Sequence, residues 1–273
     1  MDSLVDVLKR LRGENGCPWD REQTHMSLRN TMIEEAYEAV DAIERDDTDA
    51  LCEELGDVLL QIVFHAQIET EASDFTIRDV TTGIVKKLMY RHPHVFSALK
   101  VSGTEEVLKN WEELKKKEKH IHSATEAMQA VPQCFPSLMR AGKLQKRAAA
   151  TGFDMDASAA LSAVTEAAER IRTEYADSAD KDTLYLLAEE LLFAAVYVMR
   201  ALGLDAELTL RDAGSAFLDA FAKVEHESRQ NGTELRPLTP EVLHALLQRA
   251  KQAKFKAFLT QKSKKVLVLK LKS

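Results

Sequence analysis

The strongest constraint on this chain is a pair of acidic triplets at helical spacing. Glu34-Glu35-x-x-Glu38, in EEAYE, is echoed by Glu53-Glu54-x-x-Asp57, in EELGD. On a helix, residues i, i+1 and i+4 fall within an arc of about 100°, so each triplet becomes one patch of carboxylates. The Asp46-Asp47 region between them reads as a turn that folds the patches toward each other as an antiparallel helix pair.

On the first of these helices Met32, Ile33, Ala36, Ala39, Val40 and Ile43 cluster on one side, with the acids opposite. The second differs. Val58, Leu59, Leu60, Ile62, Val63, Phe64, Ala66 and Ile68 wrap most of its circumference, the pattern of a helix buried on most sides. Only Glu53, Glu54, Asp57, Gln61 and His65 form a polar strip. Carboxylates on such a helix must be paired, hydrogen-bonded or metal-bound, because desolvating a lone one is too costly. The nearby bases are few: Arg29, Arg45 and His65. Metal binding is therefore preferred over a structural ion-pair cluster. Carboxylates without Cys or His select a hard cation, magnesium or manganese, and magnesium sites are commonly completed by substrate phosphates.

Composition agrees with helices. Only ten Gly and six Pro occur in 273 residues, roughly half the usual frequencies. The net charge of −7 argues against a general nucleic-acid binder, which needs a basic footprint. Cys17, Cys52 and Cys134 are odd in number and lack CxxC spacing, which points to a reducing compartment. MDSLVDVLKR has acids where a signal peptide needs an apolar core, and no run is long enough to span a membrane. A cytoplasmic protein is expected.

Along the chain, residues 3–12 form an amphipathic helix carrying Leu4, Val7, Leu8 and Leu11 on one face. Gly13, Gly16 and Pro18 end it in a loop holding Trp19, which is either a core plug or a stacking surface for a base. After the acidic pair, residues 76–90 form a helix ending at Arg91-His92-Pro93-His94, because Pro93 disfavours helix at His92. His92 and His94 could pair on a metal. No third ligand is evident, so a helix-terminating turn is the preferred reading. Lys87 and Arg91 lie four apart, as do Trp111 and Lys115 on the next helix, which could return to the acidic pair. From His120 to Pro136 the pattern loosens into a linker. Helices are expected over 137–150, 157–176, 182–202, 206–229 and 240–260, before a basic tail that is a short strand or a frayed end.

CPWD, EExxE, ExxD, KLxxRHPHVF and WEELKKKEK occur in this order over residues 1–120. In that combination the chain resembles the MazG-type nucleoside triphosphate pyrophosphohydrolases. The resemblance implies an all-α helical-bundle fold and magnesium-dependent hydrolysis of nucleoside triphosphates to monophosphate and pyrophosphate. It also implies metal ligation by Glu35, Glu38, Glu54 and Asp57, and nucleotide contacts by Lys87, Arg91, Trp111 and Lys115. A homodimer follows as the family's expectation.

Residues 136–260 look like a second, decayed copy, which makes the chain two tandem units: 1–120 catalytic, 121–135 linker, 136–260 degenerate, 261–273 tail. EExxE becomes Thr165-Glu166-Ala167-Ala168-Glu169, and ExxD becomes Leu187-Ala188-Glu189-Glu190. Ala216 and Ala220 stand for Lys87 and Arg91, and Leu247 for Trp111, while Lys251 stands for Lys115. The expected mechanism is water attack on the α-phosphorus of a broad range of triphosphates. Glu34 or Glu38 would be the base, Lys87, Arg91 and Lys115 would hold phosphates, and Trp111 and Trp19 would wall the base moiety. Two rivals stand beside it. A di-iron bundle lacks its Glu-x-x-His spacing here. A helical module that binds nucleotides or a partner without turnover needs only the fold.

Overall fold

A computed structural model of the chain describes residues 2–230, together with Ala245 and Gln248. The tail, Leu247, Lys251 and nearly all of the helix expected over 240–260 lie outside the described residues. Those described form helices and no strand. They divide into two compact units, residues 1–120 and 121–273.

The first unit comprises α1 (Asp2–Arg12), α2 (Pro18–Glu22), α3 (His25–Glu44), α4 (Thr48–Ala72), α5 (Ile77–Arg91), α6 (Pro93–Phe96) and α7 (Thr104–Glu118). Its frame is the α3–α4 hairpin, on which α1 and α5 pack through α4. Local chemistry sets the ends. A capping box joins Thr24 and Ser27 at the start of α3. Asp46 takes φ of +57° in the turn, tolerable for Asp. The Asp47 carboxylate then caps α4 by accepting the Ala50 N–H at 3.1 Å. The second unit comprises α8 (Ala124–Gln129), α9 (Ser137–Ala149), α10 (Ala157–Ala176), α11 (Lys181–Ala201) and α12 (Ala206–Gln230). Here α10 and α11 form the hairpin, and α9 and α12 pack on α11 as α1 and α5 pack on α4. The fold is thus two tandem helical units of one kind. The segment expected as linker contains α8, which packs on α9.

The first core is built from Leu8, Leu28, Val63 and Phe64, with Leu4, Val5, Leu59, Leu60, Ile68 and Ile77 around it. Two expectations change. The face that α3 turns to α4 carries Leu28, Ala39, Ala42 and the half-buried Glu35, whereas Met32, Ile33, Ala36 and Ile43 are exposed. On α4 the apolar residues expected to wrap the helix, Val58 to Ile68, are all buried or half-buried, but Gln61, expected on the polar strip, is buried with them, while Leu55 nearer its start is exposed. The reason is that the core residues around α1 meet α4 only from Leu59 onward. Among the described residues no helix is long and apolar enough to cross a membrane.

Leu8 is 1% exposed, and its loss would leave a cavity. Leu8→Ala should destabilise the first unit by about 2–5 kcal/mol. Amides of α1 and the second half of α4 should exchange hydrogen faster in the full chain, with α10 and α11 unchanged.

Candidate active site

Glu35 and Glu38 on α3 meet Glu54 on α4, with one carboxylate oxygen from each within 4.8 Å of the others. Asp57, one turn after Glu54, lies outside this trio, yet of the neighbouring charges it acts most strongly on Glu35. Glu34 and Glu53 are exposed on the flanks, and Glu34 is the weakest of the resolved charges on Glu35.

Partial burial pushes the Glu35 carboxyl above its ordinary value, and the negative charges of Asp57, Glu38, Glu54 and Glu34 add to the effect. Glu54 is raised by partial burial, then by the nearby carboxylates of Glu38, Asp57 and Glu53. The donors are all oxygen, so the set matches a hard divalent cation rather than zinc.

A second cluster forms between α5 and α7. Arg91 is 7% exposed, with its guanidinium 5.2 Å from the Trp111 ring centroid. Lys115 Nζ lies 4.6 Å from the same centroid. Arg91 Nε donates to Glu118 Oε2 at 2.7 Å. This hydrogen bond holds the Glu118 carboxyl below its ordinary value against slight desolvation, with the charges of Arg91, Lys87 and Lys119 assisting. Lys87 is exposed beside the cluster. The four residues picked from the sequence are therefore gathered where α7 packs on α5. Glu118 was missed. Its signal was the i, i+4, i+7 stripe of Trp111, Lys115 and Glu118 on one helix face.

Trp19 is 62% exposed, which rules out the core plug. Its loop is fixed by Arg12, which donates Nη1 to the carbonyls of Asp20 and Gln23 and Nε and Nη2 to Glu71. His92 accepts the turn reading: Nδ1 lies 2.7 Å from the Leu88 carbonyl oxygen, with which it bonds as donor. A further polar contact joins the hairpin's far end, where the Nδ1 atoms of His25 and His65 lie 2.7 Å apart and His25 Nε2 lies 2.5 Å from Glu69.

The second unit treats the matching positions differently. Leu187, in place of Glu54, is buried. Glu190, in place of Asp57, pairs with Arg170 at 2.5 Å across the α10–α11 gap. Glu169 pairs with Arg172 at 2.6 Å. Ala220, in place of Arg91, is buried against Ala216 and Val224. Among the described residues no second carboxylate trio forms.

Residues 23–96 match the family profile described as the MazG nucleotide pyrophosphohydrolase domain. The nucleoside triphosphate pyrophosphohydrolase of Escherichia coli K12 is 39% identical over 256 residues, 92% of this chain and 97% of that protein. The nucleoside triphosphate pyrophosphohydrolase/pyrophosphatase MazG of Thermotoga maritima is 38% identical over 250 residues, 92% and 95% of the two chains. The crystal structure of a mazG-related protein from Thermotoga maritima aligns with 42% of this chain and 99% of that one, at 27% identity and a TM-score of 0.37. This chain belongs to the MazG nucleotide pyrophosphohydrolase family. It is an enzyme, a nucleoside triphosphate pyrophosphohydrolase.

Because the folded state raises the Glu35 and Glu54 carboxyls, each stabilises the fold in its protonated form. That contribution is full below the ordinary glutamate value and is lost as pH rises through the folded one. At neutral pH the metal-free cluster therefore opposes folding. Glu54→Gln should raise the melting temperature of the metal-free chain at pH 7, and the advantage should vanish below about pH 4.

Proposed function

We propose that the first unit carries the active site and hydrolyses nucleoside triphosphates of broad base and sugar identity at the α-phosphorus, with magnesium. The reading is supported chiefly by the trio of Glu35, Glu38 and Glu54, assembled there and replaced by arginine pairs and a buried leucine in the second unit. Glu35, Glu38, Glu54 and Asp57 would hold the metal, and manganese could substitute. When bound, the ion would neutralise charge on the phosphates and lower the pKa of a coordinated water.

The chain's own residues would do the rest. Glu38, the exposed member of the trio, is the better-placed proton acceptor for the attacking water, and Glu34 lies one residue outside the cluster. Arg91 would offer a planar fork to phosphate oxygens, and Lys87 and Lys115 would act as point charges. The ring of Trp111 is engaged by Arg91 and Lys115, so it would hold the cations in place. Trp19, exposed on a fixed loop, would stack a base without selecting it.

We further propose a homodimer. Met32, Ile33 and Tyr37 on α3 and Val80, Ile84, Val85, Leu88 and Met89 on α5 are exposed, two apolar faces that a second copy would cover. Such a copy could carry its α5–α7 cations to the neighbouring hairpin. A non-catalytic binding role suits only the second unit, where the acids are paired.

Glu38→Ala or Asp57→Ala should abolish magnesium-dependent pyrophosphate release from each triphosphate while the helical circular dichroism persists. Full activity in either variant refutes the metal-site assignment. Ile84→Glu should shift the protein from dimer to monomer in sedimentation, with activity lost in parallel. An active monomer would refute the shared-site arrangement.

A further inference from the structure

Arg91 is held on two sides and open on a third. Its guanidinium lies over Trp111, and its Nε donates to a single oxygen of Glu118. The pair is a single bond on the Nε side of the guanidinium, unlike the two parallel bonds of a fork-to-fork arginine–carboxylate contact. Among the described residues no protein acceptor bonds to Nη1 or Nη2. Neither is a sealed, partnerless atom of the kind found at Nε of Arg140 and Arg200, so the fork opens to solvent although the side chain is buried. Stacking takes the face of a guanidinium and leaves its N–H edges free. A buried cation with two open donors on a fixed plane is prepared for an anion of matching geometry.

We infer that Glu118 is a positioning residue for the reaction: it grips Arg91 at Nε so that Nη1 and Nη2 present a fixed two-point fork to a substrate phosphate. The inference rests on the proposed phosphate-binding role of Arg91. Glu118 sits at the last turn of α7, so its grip also ties that helix to the end of α5. Were Glu118 instead a stand-in for substrate phosphate, it would occupy the Nη fork and compete with the triphosphate. Its contact through Nε alone leaves that fork free.

The test is steady-state hydrolysis of ATP and UTP with magnesium by the full chain and by Glu118→Ala, Glu118→Gln and Arg91→Ala, with a thermal melt of each. Glutamine keeps an oxygen that can accept the Nε–H. Glu118→Ala should raise KM on the order of tenfold with kcat changed less than about threefold, the signature of a misplaced binding group. Glu118→Gln should hold KM within about threefold of the parent, since one accepting oxygen suffices for the bond. A lowered KM in Glu118→Ala would make Glu118 a competitor of substrate and overturn the inference, as would an unchanged one. If the alanine variant fails to fold, the glutamine variant decides: a KM raised as far as in Arg91→Ala overturns the proposal. An unchanged KM in Arg91→Ala refutes the phosphate role of Arg91 itself, and that outcome is separable from any effect at Glu118.

Discussion

Repulsion among carboxylates held in one hairpin is the constraint from which the rest of the first unit follows. The α3–α4 pair has enough apolar contact around Leu28, Val63 and Phe64 to fold, and it spends part of that stability holding Glu35, Glu38, Glu54 and Asp57 near one another. Nothing in a structural role requires the arrangement. The surrounding acids raise the proton affinity of Glu35 and Glu54, so the hairpin is strained in charge where it is sound in packing. Strain of this kind persists where another charge relieves it.

The second unit shows what relief looks like without a cation from solution. Its α10–α11 hairpin retains buried small and aliphatic residues, Ala160, Ala167, Val196 and Val198 among them. At the acid positions it substitutes a buried leucine and exposed arginine pairs. Exposed pairs add little stability. Their effect is to remove the repulsion, so the unit keeps the family's fold without its electrostatic demand.

Periodicity made the helices legible, because apolar residues at 3.6 spacing and breakers such as Gly13, Pro18 and Pro93 mark them whatever the tertiary context. The acid cluster was legible for the same reason: two triplets on adjoining helices joined by a short turn have few other places to go. How α3 is rotated was not. Its apolar residues span one broad arc, with Leu28, Ala39 and Ala42 toward a first face and Met32, Ile33, Ala36 and Ile43 toward a second, and the larger side chains lie on the face that one chain leaves exposed. Side-chain size favours the second face for burial. Close helix–helix approach favours the first, because alanines let α3 and α4 approach and bring Glu35 inward. The exposure of Trp19 was hidden in a similar way, since it depends on Arg12 anchoring the loop from α1.

The cationic cluster follows from helix packing as the acidic one follows from a turn. Arg91 is the last residue of α5, and His92 and Pro93 stop the helix there, so the guanidinium emerges at a fixed end rather than along a mobile flank. α7 then lays Trp111, Lys115 and Glu118 along one face against it. A flexible arginine would lose conformational entropy on meeting phosphate. One clamped by a ring and a carboxylate has lost it already during folding. α7 docks on α5, so the cations are ordered by helix packing as the acids are by the hairpin. α5 in turn packs on α4, so one unit carries both clusters, and on the proposed reading a triphosphate with its ion is the ligand whose charges match the two.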